Sequence, residues 1–140
     1  MKAFLIIAVL LIAAMLIVAS CKKEDNTAVG AAPVEIAVKA DSVKFKKGPN
    51  PIVDGLTAQL WGTIGASTCY SFARYQTVRD SFQVRVKIFG YYTASTSCTS
   101  TPVRLNGAVY LVPPPFYIGL FTIIVQQPDG STIRDTTTIL

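Results

Sequence analysis

Three thiols, at Cys21, Cys69 and Cys98, stand out in a chain of 140 residues that contains no histidine. Lack of histidine removes the commonest general base and the commonest metal ligand together. A serine nucleophile would have no such base beside it, and no Gly-x-Ser-x-Gly elbow occurs. There is no glycine loop suited to a phosphate and no Asp-x-Asp spacing of the kind that opens a calcium loop. The carboxylates downstream of Pro33 are Glu35, Asp41, Asp54, Asp80, Asp129 and Asp135. Glycoside hydrolysis would need two of them facing each other across about 5–10 Å. Most of the six fall at turns or strand edges, where solvation and turn chemistry explain them. The chain is therefore expected to be non-catalytic, with no metal and no cofactor.

Cys21 sits where the chain changes character. Lys2 is followed by an unbroken apolar run from Ala3 to Ala19, and Lys22-Lys23-Glu24-Asp25-Asn26 follows the cysteine. A charged start, an apolar stretch and small residues at its exit make residues 1–20 a secretory signal. Val18-Ala19-Ser20-Cys21 resembles the bacterial lipobox, an aliphatic residue and two small ones before a cysteine. That resemblance implies diacylglycerol on the Cys21 thiol, cleavage before it, and acylation of the new amine. Two or three chains hold stably, each buried methylene contributing about 0.8 kcal/mol, where one chain is marginal. The alternatives are simple cleaved secretion and a spanning helix. The run's 17 residues lie at the short edge of what a span requires. Lipidation implies a bacterial lipoprotein of the cell envelope, held by the membrane through Cys21. The acidic pair Glu24-Asp25 resembles signals that send some Gram-negative lipoproteins to the cell surface. Outer membrane, at its periplasmic face or outside, is the expected location. Export also separates the protein from nucleic acid.

With Cys21 lipidated as the lipobox implies, Cys69 and Cys98 remain as an even pair, which in an exported domain favours a disulfide. Such a bridge closes a loop of about 30 residues, worth roughly 3.5 kcal/mol in the chain-entropy view. Two free thiols in redox work are the alternative. They lack Cys-x-x-Cys spacing and an activating histidine.

The elements that would carry these residues repeat with a period of two. Residues 21–33 form the lipidated cysteine and a flexible linker, too polar to pack at first and then Gly30-Ala31-Ala32-Pro33. Residues 34–140 make the domain. Val34, Ile36 and Val38 alternate with polar or small neighbours, as do Val43 and Phe45, which predicts one edge strand broken near Ala40-Asp41. Gly48-Pro49-Asn50-Pro51 is a loop. Leu56, Ala58, Leu60, Gly62 and Ile64 line one face of the next strand, with Trp61 on the other. Cys69–Val78 is a third strand, joined through a tight turn at Arg79-Asp80 to a fourth, where Phe82, Val84, Val86 and Ile88 point one way. A Ser/Thr loop carries Cys98. Val103–Val112 is a strand interrupted at Asn106-Gly107. Pro113-Pro114-Pro115 cannot join a ladder, and Phe121, Ile123 and Val125 face one way in the strand after it. Pro128-Asp129-Gly130 turns the chain into a last strand rich in Thr and Ile.

About seven short strands with regular turns predict an all-β fold, an antiparallel sandwich. Gly119-Leu120-Phe121-Thr122-Ile123 with the Pro-Asp-Gly hairpin resembles the closing strands of bacterial immunoglobulin-like domains. It departs from antibody domains in its cysteines, whose bridge would pin a loop to a strand end. Two surfaces could bind. Tyr91-Tyr92 end the cleanest strand beside the Ser/Thr loop, and phenols with hydroxyls suit sugars or peptide backbone, unless they cap the core. Phe116 and Tyr117 follow the prolines on a stiff loop, which could dock in a partner or merely cross between sheets. Without Lys2, 12 basic residues face 8 acidic ones. Lys39, Lys44, Lys46 and Lys47 could form a solvated strand face or attract anionic head groups. The expected activity is a non-catalytic interaction module for an envelope protein or glycan. The alternative is a structural accessory subunit without a ligand of its own.

Overall fold

The alternating pattern from Val34 onward resolves into nine strands in two sheets that pack face to face. The computed structural model describes residues 32–47 and 55–140. The expected signal, Cys21, the expected linker up to residue 31 and the expected Gly48–Pro51 loop lie outside the described residues. The strands are β1 Val34–Ala37, β2 Lys39–Lys47, β3 Leu56–Gly65, β4 Tyr70–Arg79, β5 Gln83–Tyr92, β6 Val103–Arg104, β7 Ala108–Val112, β8 Gly119–Gln126 and β9 Thr132–Ile139. Two of the expected strands are each split in two, which accounts for nine rather than about seven.

The first split is a change of sheet. β1 pairs antiparallel with β5, Val34 opposite Tyr92, and the chain then crosses at Val38 to pair β2 with β3. The break near Ala40-Asp41 is a bulge: Ala40 faces Gly62, Ser42 faces Trp61, and Asp41 is the extra residue. That residue absorbs the phase change between buried Val38 and Ala40 and buried Val43. The second split follows from backbone chemistry. Asn106 and Gly107 take φ of 28° and 77°, a left-handed step that Asn and Gly tolerate best.

β2, β3, β6 and β7 form one sheet; β4, β5, β1, β8 and β9 form the other. β5 organises its sheet. One edge takes β4 along its length, and the other is shared by β1 at the Tyr92 end and β8 at the Gln83 end. The β5–β8 pairing is parallel, with Val84 opposite Ile123, while the other pairings are antiparallel. A period of two tells which face a residue occupies. It does not tell which strand lies beside it, so this pairing carried no sequence signal.

The core lies between the sheets. Leu56, Ala58 and Leu60 of β3 meet Val84, Val86 and Ile88 of β5 and Phe121, Ile123 and Val125 of β8, all essentially inaccessible. Each large side chain so buried contributes about 1.5–3 kcal/mol. Phe82 does not join its expected neighbours. The strand begins at Gln83, and Phe82 lies in the preceding loop, 52% exposed. One lateral side of the sandwich is clasped. The buried Gln127 amide accepts from Ala40 N and donates to Ala40 O, both at 3.0 Å. Phe45 N donates to Asp135 at 2.7 Å, and Lys39 pairs with Asp129 at 3.4 Å. These bonds give the edge of β2 the partners that a neighbouring strand would otherwise supply.

Candidate binding site

Cys69 and Cys98 are joined by a disulfide, with Cα atoms 5.3 Å apart. The bridge ties the Ser/Thr loop to the residue before β4, and so pins a loop to a strand end. Hydrogen bonds run beside it. Thr68 N donates to Thr99 O at 3.0 Å, Thr99 N to Thr68 Oγ1 at 2.9 Å, and Thr93 N to Cys69 O at 3.0 Å. Ser95 and Ser97 hydroxyls lie 2.8 Å apart.

These segments enclose a depression of about 220 Å³. Its walls carry the hydroxyls of Thr68, Tyr70, Ser71, Thr93, Ser95 and Ser97, and the disulfide forms its seam. Among the described residues no hydrogen bond uses the hydroxyls of Tyr70, Ser71 or Thr93. They are left for water or a ligand. Tyr70 is held from behind. A Cβ on Gly65 would fall inside its ring, so only glycine permits this approach. On its other side Tyr70 lies 5.0 Å from Tyr92, centroid to centroid.

The two expected aromatic surfaces lie at opposite ends of β5. Tyr91 and Tyr92 are each 37% exposed. Tyr92 shares a cross-strand register with Tyr70 and Val34, whereas Tyr91 sits with Ser71 and Glu35 on the outer face. Tyr92 therefore backs the depression through Tyr70, and Tyr91 stands beside it. Phe116 is half-buried and packs edge-on against Phe121 at 6.0 Å. The loop after β7 crosses from one sheet to the other. Tyr117 is exposed and lies 6.0 Å from Phe82.

Arg79 fixes that crossover. It donates to Pro113 O at 2.6 Å and to Pro115 O, and its guanidinium lies 4.6 Å from the Phe121 ring centroid. Burial lowers its pKa, while Tyr110 and Tyr117 act the other way. Nothing in the sequence pointed to this clamp, because its acceptors are backbone oxygens. Tyr70 and Ser71 were also missed as wall residues, since the depression exists only where residues 68–71 meet residues 93–98.

Apart from exposed Asp41, the described carboxylates have local tasks. Glu35 pairs with Arg74 at 2.7 Å, Asp80 accepts from Ser81 N at 2.6 Å, and Asp129 accepts from Ser131 within its turn. Asp129 is held below the ordinary carboxylate range by the Ser131 hydroxyl, the Ser131 amide and Lys39. Burial raises the Tyr75 phenol. Among the described residues no three His, Cys, Asp or Glu side chains gather to hold a metal. The arrangement can hydrogen-bond and stack. Compared with protein-family models, curated proteins and solved structures, the chain finds no match.

Proposed function

We propose that the protein is a lipid-anchored lipoprotein of the cell envelope whose β-sandwich is a non-catalytic interaction module, with glycan as the preferred ligand over protein. The observation that carries the binding reading is the depression between the disulfide and Tyr70. It is lined by hydroxyls, edged by phenol rings and held in shape by a covalent bridge. Uncharged hydroxyls matched by aromatic faces suit a neutral sugar, and a preorganised wall loses little entropy on binding. The sequence Val18-Ala19-Ser20-Cys21 supports the anchor, and the acidic pair Glu24-Asp25 after it supports an outer-membrane address at the periplasmic face or the cell surface.

Glycan-array binding by the purified protein tests the module. Binding that Tyr70→Ala abolishes is the expected result. A protein that binds no glycan, but leaves solubilised membranes in a stoichiometric complex, would instead be an accessory subunit. Labelling with radioactive palmitate tests the anchor separately: Cys21→Ala should lose label, and persistent labelling would sink the lipobox reading.

A further inference from the structure

The outer face of the five-stranded sheet is cationic. Arg85 and Lys87 of β5 and Arg134 of β9 are exposed there, because Val84, Val86 and Ile133 take the inward positions. Arg85 stands opposite Ile124, and Ile124 opposite Arg134, so the two guanidinium groups leave strands about 10 Å apart. Among the described residues, none of these three cations forms an ion pair; the two pairs present are Lys39–Asp129 and Arg74–Glu35. Asp135 is turned to Phe45 N, and Asp80 to Ser81 N. The face therefore keeps its charge.

At the Gln83 end this face runs into an apolar tip. Leu120 is 65% exposed and Ile118 76%, beside Phe82, Tyr117 and the terminal Leu140. Phe82, Tyr117 and Ile118 lie in loops beyond the ladder, and Leu120 stands opposite Thr138 at its end. Cations on a flat face next to a projecting apolar tip match one layered ligand, anionic head groups above acyl chains.

We propose that this face docks on an anionic lipid bilayer, with Arg85, Lys87 and Arg134 against phosphate head groups and the Phe82–Tyr117–Ile118–Leu120 tip in the interface. Reach permits it. The chain enters the domain at Val34, beside Tyr92, and the 12 residues from Lys22 to Pro33 extend to about 40 Å. β5, with 10 residues, is about 33 Å long. A domain tethered at one end can thus lie flat on the leaflet that holds its tether. The charge and apolar surface of this face do not depend on how the N-terminal segment is anchored, whereas the reach rests on the anchor at Cys21 proposed above.

The test uses the full-length protein reconstituted into vesicles of brominated phosphatidylcholine, alone or mixed with phosphatidylglycerol. The single tryptophan is moved to the tip, Trp61→Phe with Tyr117→Trp. Quenching of the new tryptophan by brominated chains only when phosphatidylglycerol is present is the expected result. Each surface cation is worth about fivefold in partitioning, so neutralising all three to Gln should cut docking on the order of 100-fold. The exchanges Arg85→Lys, Lys87→Arg and Arg134→Lys should retain it, which separates lost charge from lost folding. Equal quenching in both vesicles overturns the anionic requirement. No quenching in either overturns the proposal, and cation-dependent binding to a soluble acidic polysaccharide without quenching would give the face to that polymer instead. Mass spectrometry of the same sample reports lipidation at Cys21, so failure of docking and failure of the anchor are read separately.

Discussion

Replacing Gln127 by Met isolates the clasp between the sheets. Gln127 is 6% exposed, and its amide makes two bonds to Ala40, at 3.0 Å each. Methionine keeps the length and most of the volume of the side chain, so the change is chemical rather than steric. It leaves a buried backbone N–H and C=O without partners. An orphaned group of this kind costs about 1–3 kcal/mol, so the pair is worth roughly 2–6 kcal/mol. For a domain of this size about 3 kcal/mol lowers Tm by roughly 12–24 °C. Urea and thermal unfolding, followed by circular dichroism, give both numbers, with an unchanged urea slope as the check that the unfolded state is the same. Gln127→Glu adds a second reading. Its ionised carboxylate can accept from Ala40 N but faces Ala40 O without a proton. Protonation restores the donor, so this variant should gain stability relative to the parent as pH falls. A loss below about 1 kcal/mol for Gln127→Met would refute the clasp, as would a Glu variant indifferent to pH.

Three further outcomes follow from bonds already described. Reduction, or Cys69→Ser with Cys98→Ser, should cost roughly 3.5 kcal/mol in urea unfolding and weaken any ligand of the depression; mass spectrometry showing free thiols in the native protein would contradict the bridge. Gly65→Ala should drive Tyr70 off its seat, because the added Cβ would sit within the ring; unaltered glycan binding with the sandwich still folded would show that Tyr70 is not part of the site. Asp129 should titrate below the ordinary carboxylate value, and Ser131→Ala should bring it upward in an NMR titration. Because that value is depressed on folding, the turn's contribution is present above the unfolded value and lost as pH falls through the folded one.

The sequence was legible where one face of a strand is buried. Leu56, Ala58 and Leu60, Val84, Val86 and Ile88, and Phe121, Ile123 and Val125 all lie inward as their alternation predicts. Phe82 kept that rhythm by identity alone. It fails because the strand has not begun when the chain reaches it, and a ladder, not a period, fixes which way a residue points. The step at Val38 was hidden for a related reason, since a chain changing sheets can remain extended and apolar throughout. Tyr91 and Tyr92 marked the right end of the molecule. The depression itself was out of reach, because residues 68–71 and 93–98 become neighbours only through the bridge and the pairing of β4 with β5.

The division of one edge of β5 between β1 and β8 bears on how the molecule carries force. A load arriving along the chain from its N-terminal side meets β1 first. β1 holds by four residue pairs, Val34 lies 59% exposed outside the core, and one further bond runs from Val38 N to Ile88 O at 2.9 Å. The Gln127 clasp then grips at Ala40. Peeling therefore stops two residues past β1, with β8 still seated on β5. The freed stretch, residues 34–39, amounts to about 20 Å of extended chain. β1 is thus the first element that a pull from this side would detach, ahead of the sandwich itself.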